Sequence, residues 1–112
     1  MSPTGPETSI RITPAFFFLL LTLVDGERHG YAMAKEVTER SDGSIDLGPG
    51  SLYWSLGRLA DAGLIEESSG PDEEASGRRR YYRLTDSGRT TLRRETETLS
   101  KILSFARTKR VL

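Results

Sequence analysis

The chain has 112 residues, 29% of them charged and 36% hydrophobic, with 16 basic side chains balancing 16 acidic ones and no cysteine. That length points to one domain, in which about two-thirds of the unfolded surface can be buried, so the core is real but not generous. Disulfides, thiolate catalysis and cysteine-based zinc sites are excluded, and a cytoplasmic location is the expectation.

Residues 1–12 are rich in Pro, Ser and Thr and read as a flexible N-terminal segment. Thr13 followed by Pro14 has the form of an N-cap and a first helical residue, which predicts a first helix from about Pro14 to Val24. Its run AFFFLLLTLV is apolar nearly all round, so more than one face needs cover. Ten residues cannot span a bilayer, and Asp25-Gly26-Glu27-Arg28 follows with no small-residue cleavage site, which argues for a core helix and against a membrane or targeting segment. A second helix is expected over Gly30–Arg40, with Met33, Ala34 and Val37 on one stripe, Gly30 allowing close packing and Tyr31 supplying an anchored ring. Ser41–Ser44 reads as a turn, and Ile45-Asp46-Leu47 as a very short strand. Gly48-Pro49-Gly50 opens a third helix to about Ala62, buried through Leu52, Leu56, Leu59 and Ala60 and closed by Gly63. Leu64–Ser69 and Arg79–Leu84 read as two strands joined by the polar loop Gly70–Gly77. Thr85 is placed as the N-cap of a fourth helix reaching about Lys109, its apolar positions Leu92, Leu99, Ile102, Leu103 and Ala106 sparse early and dense late.

Helix, helix, short strand, helix, two strands, helix is the order of a winged helix-turn-helix: mainly α with a small β-hairpin. The division that follows is a flexible segment over 1–12, a DNA-binding domain over 13–85 and a dimerisation helix over 86–112. Charge placement agrees. Arg78, Arg79, Arg80, Arg83, Arg89, Arg93 and Arg94 face only one acid, Asp86, within residues 75–94, a local charge near +6 in a formally neutral chain. Local basicity of this kind, beside a short helix, suits a phosphate backbone.

Within the third helix, Ser51 and Tyr53 are candidates for phosphate or base-edge contacts, and Arg58 for guanine or phosphate. Trp54 lies opposite the buried stripe and needs a cover, which is either DNA sugars and a thymine methyl or another helix or subunit. In the wing, Arg78 and Arg79 are the principal candidates for phosphate or minor-groove contact, with Arg80 less favoured because alternate strand residues face opposite ways. The acidic loop residues Asp72-Glu73-Glu74 turn contact toward the second half of the wing. His29, the single histidine, has no second His and no Cys to share a metal with, so it reads as structural. With no nucleophile elbow, phosphate loop or activated carboxylate pair, neither an enzyme nor a bound cofactor is expected.

Three groups of residues resemble the PadR family of transcriptional regulators. They are His29-Gly30-Tyr31 with Ala34-Lys35-Glu36, then Pro49-Gly50-Ser51-Leu52-Tyr53 leading through Leu56, Arg58-Leu59 and Gly63-Leu64-Ile65, and last Arg79-Arg80-Tyr81-Tyr82-Arg83-Leu84-Thr85 with Gly88. The resemblance covers about residues 14–92 and implies a homodimeric repressor on a palindromic double-stranded DNA operator, with the C-terminal helix as dimer interface. Two positions depart from the family's pattern: Gly57 stands where a basic residue is common, and Trp54 occupies a variable position. Dimer contacts are therefore expected from Phe16, Leu92, Leu99, Ile102, Leu103 and Ala106. A small aromatic effector would suit a pocket between the first and fourth helices of two subunits, lined by Phe16–Phe18 and Trp54 or Phe105. The rival readings are a winged helix used for protein assembly without DNA, and a nonspecific DNA- or RNA-binding module.

Overall fold

The computed structural model describes residues 10–69 and 80–112. In chain order they form α1 (Pro14–Leu21), β1 (Arg28–His29), α2 (Gly30–Arg40), α3 (Pro49–Asp61), β2 (Ile65–Ser68), β3 (Tyr81–Leu84) and α4 (Asp86–Thr108). The three strands make one antiparallel sheet in the order β1-β3-β2.

The cap expected at Thr13 is present: its Oγ1 accepts from the Phe16 amide at 3.2 Å. α1 ends three residues earlier than the apolar run predicts. Leu23 and Val24 donate to carbonyls three residues back, at 3.1 and 3.2 Å, and the Thr22 hydroxyl donates to Leu19 O at 2.7 Å. The chain thus tightens out of the α-helix while Leu23 remains buried.

The short strand precedes α2 and does not precede α3. Ile45 cannot join a ladder, because its amide donates to the Ser41 side chain at 3.0 Å within the turn. Arg28 and His29 instead pair with Tyr82 and Tyr81. A two-residue strand carries no periodicity that a sequence reading could detect.

The core gathers Leu19, Leu20 and Leu23 from α1, Met33 and Val37 from α2, Leu52, Leu56 and Leu59 from α3, and then Leu64, Ile65, Tyr82 and Leu92. One predicted member is corrected: Ala60 is exposed, and Ser55 takes its place on the buried face of α3. Ser55 shares that face because it lies between Leu52 and Leu59 on one helical stripe.

Two glycines fix how the elements meet. A Cβ on Gly30 would lie 3.3 Å from Leu56 Cδ1 and 3.4 Å from the Tyr53 ring, so its absence lets α2 approach α3. A Cβ on Gly88 would sit 2.0 Å from the Leu64 carbonyl oxygen. There α4 is seated directly on the backbone that leads out of α3. Thr85 completes the joint: its hydroxyl accepts from Gly88 N at 2.9 Å and donates to Gly63 O at 2.6 Å, and its amide donates to Leu64 O at 3.1 Å.

α4 is 23 residues long, about 35 Å of helix. Only Gly88 and Leu92, near its start, are buried. Leu99, Ile102, Leu103 and Phe105 are exposed, and Ala106 is half-buried. No helix among the described residues is long and apolar enough to cross a membrane.

Candidate nucleic-acid interface

α3 opens at Gly48, which offers no side-chain cap, with Pro49 at the first position. Its first-turn amides are therefore left to an external acceptor, as helix N-termini that receive phosphate leave theirs. Ser51, Tyr53, Trp54 and Arg58 are all exposed on this helix. Tyr53 leans toward Gly30 of α2, whereas Trp54 leans toward α1. The Trp54 ring stacks on Phe16 at 6.3 Å with planes 26° apart, and the Arg58 guanidinium lies 5.6 Å from the indole centre. Trp54 is nonetheless 62% exposed. The indole has its own chain on one side and solvent on the other.

A cleft of about 630 Å³ separates the exposed side of α2 from the start of α3. Tyr31, Lys35 and Tyr53 line it together with Glu39 and Asp46. Tyr31 is not the anchored ring expected from the sequence: it is 73% exposed and stacks on His29 at 6.4 Å. His29 itself caps α2, its Nδ1 accepting from Ala32 N at 3.2 Å, and meets Tyr81 edge-on at 5.5 Å. Lys35 and Tyr31 are cleft-lining groups that belong neither to α3 nor to the wing. Their signal was spatial: both face the Tyr53 side of α3 only once Gly30 brings the two helices together.

The wing carries less free charge than its sequence window implies. Arg83 Nε lies 2.7 Å from Glu66, its cross-strand partner, and Arg80 lies 3.4 Å from Glu67. Those acids precede the window in sequence and face it in space. Arg80 is thus paired with an acid, while Arg78 and Arg79 lie outside the described residues. Cross-strand pairs this exposed contribute only ~0.2–1 kcal/mol and stay available for exchange with phosphate.

Of the residues assigned to dimerisation, Phe16 and Leu92 are already buried in the chain's own core. Leu99, Ile102 and Leu103 are open, and a groove of about 390 Å³ runs between α1 and α4 past Phe17, Phe18, Leu21, Leu99 and Ile102. Phe16, Trp54 and Phe105, named for an effector pocket, do not line it.

Residues 19–94 match the family described as Transcriptional regulator PadR-like family. The chain belongs to that family. Its structure is similar to a PadR family transcription regulator from Clostridium difficile, with 30% identity, a TM-score of 0.67, and 83% of this chain and 96% of that one covered. RosR of H. salinarum is similar at 31% identity and TM-score 0.65, covering 80% and 76% of the two chains. An uncharacterized 37.1 kDa transposon protein of Streptomyces fradiae is 38% identical over 93 residues, 83% of this chain. The PadR-like chain spans about a quarter of that relative's length. Membership places the winged helix in transcription regulation and DNA binding, in a family of regulators that is not a class of enzymes.

Proposed function

We propose that the chain is a sequence-specific regulator of transcription in the cytoplasm, acting as a homodimeric repressor on a palindromic double-stranded operator. The observation that carries this reading is α3, whose outer face presents Ser51, Tyr53, Trp54 and Arg58 clear of the core. In the proposed complex that face enters the major groove, and Arg78 and Arg79 grip the flanking backbone. Tyr31 and Lys35 add phosphate contacts from the cleft, at the end away from Glu39 and Asp46, whose charges repel phosphate.

The dimer rests on the apolar face of α4. Leu99, Ile102 and Leu103, with the α1 groove beside them, form an exposed strip that a second copy would cover. Two-fold pairing there would set two α3 helices about one DNA turn apart. The same groove, closed by a partner, is the place for a small aromatic effector.

Fluorescence anisotropy tests the reading, using purified protein, the DNA upstream of its own gene and a scrambled duplex at matched salt. Selective binding with two protomers per site is the expected result. Equal binding to both duplexes would replace it with a nonspecific nucleic-acid module, and no binding even at low salt with an assembly module. Arg79→Ala is expected to weaken both duplexes alike and to lower the salt slope by about one.

A further inference from the structure

We infer that Trp54 is the residue that sets base specificity, reading a thymine methyl group beside a guanine held by Arg58. The inference rests on the DNA-binding reading above and names what that site selects. Along α3, Gly50 and Gly57 lie four residues before and three residues after Trp54, which puts all three on one ridge of the helix. An added Cβ on either glycine would meet nothing within 4 Å. The indole thus stands on the outermost ridge with an open notch at each side, the profile of a helix whose backbone can sit close to base edges while one large apolar ring reaches further.

The ring is also held in place. Phe16, itself buried, stacks behind it at 6.3 Å, and Arg58 lies one turn along with its guanidinium 5.6 Å from the ring centre. A fixed apolar surface in the major groove has one chemical partner there, the thymine C5-methyl, and a guanidinium pairs with the O6 and N7 acceptors of guanine. Their separation is compatible with adjacent base pairs, spaced ~3.4 Å along the axis and offset by helical twist.

Selection from a randomised duplex library, first with the wild-type protein, tests this. The expected site carries a fixed thymine next to a guanine in each half. Replacing that thymine by deoxyuridine should weaken binding about fourfold per half-site, the equivalent of ~0.8 kcal/mol for one buried methyl. Trp54→Ala should flatten the preference at that position, and lower affinity for the selected site by tenfold or more, a larger loss than for random duplex. Gly57→Leu fills a notch on an exposed helix surface. It should lose selective binding with the thermal midpoint unchanged or raised, which separates groove fit from folding. If no sequence is enriched, the DNA-binding reading fails and takes this inference with it. If a site is enriched but deoxyuridine binds equally and Trp54→Ala selects the same sequence, only the role of Trp54 is overturned. A change of oligomeric mass in Trp54→Ala would likewise overturn it, by assigning the ring to a subunit contact.

Discussion

At the scale of single residues, the glycines divide into two kinds that composition cannot separate. Gly88 is required by contact: a methyl group there would overlap the Leu64 carbonyl oxygen at 2.0 Å, and backbone cannot step aside as a side chain can. Gly88→Ala is expected to destabilise the fold by roughly 3 kcal/mol or more, at or above the usual range for overpacking, measured as a fall in the urea midpoint. Gly57 has no such constraint, since nothing lies within 4 Å. Gly57→Ala should stabilise α3 by up to ~1 kcal/mol through helix propensity alone. The sequence reading placed Thr85 and Thr13 as caps because a cap is a local event, complete within three residues. It could not distinguish Gly88 from Gly57, because the difference lies in what arrives from elsewhere in the chain.

At the scale of elements, the joint between β1 and α2 is tied by one carboxylate. Glu36 receives Arg28 Nη1 at 2.7 Å and Arg40 Nε at 3.2 Å, while Arg28 also reaches the Ala32 carbonyl at 3.4 Å. The hydrogen bond from Arg28 is the main cause holding the Glu36 carboxyl below its ordinary value, with partial burial opposing and Arg40 assisting. Because the folded value is the depressed one, the stabilisation is present above the ordinary carboxylate value and is lost as pH falls through the folded value. Glu36→Gln should lower stability by ~0.5–1 kcal/mol at pH 7, the scale of a partly exposed pair, and the gap from wild type should close on acidification below pH ~4. Paired thermal melts across that window measure it. The helices were legible because Met33 and Val37, or Leu52, Leu56 and Leu59, repeat at helical spacing. β1 was not, and neither was the pairing of Arg83 with Glu66, because register between strands is a property of the sheet and not of either segment.

At the scale of the whole molecule, the winged-helix layout followed from element order, and the outward face of α3 followed from its buried one. What stayed hidden were the cleft between α2 and α3 and the reassignment of Phe16 and Leu92 to the interior, both products of three-dimensional packing. The radius of gyration, 15.4 Å, exceeds the ~13 Å of a compact chain this long. In the proposed dimer Leu103→Glu puts two charges into the apolar strip. It should shift sedimentation toward the monomer and reduce apparent operator affinity by at least ~10-fold, while leaving the winged-helix core folded.

The outer half of α4 has a further consequence. Beyond Leu92 roughly four turns of helix bury no residue and share only the open α1 groove at Leu99 and Ile102, and a helical segment with so little cover is marginal in water. In the proposed dimer its helicity becomes a function of how many copies are present: dilution below the dissociation constant should unwind the same turns that would hold the partner. A regulator that dimerised in this way would measure its own abundance through a coil-to-helix transition, and circular dichroism at 222 nm should lose signal per residue on dilution while the near-ultraviolet signature of the core is retained.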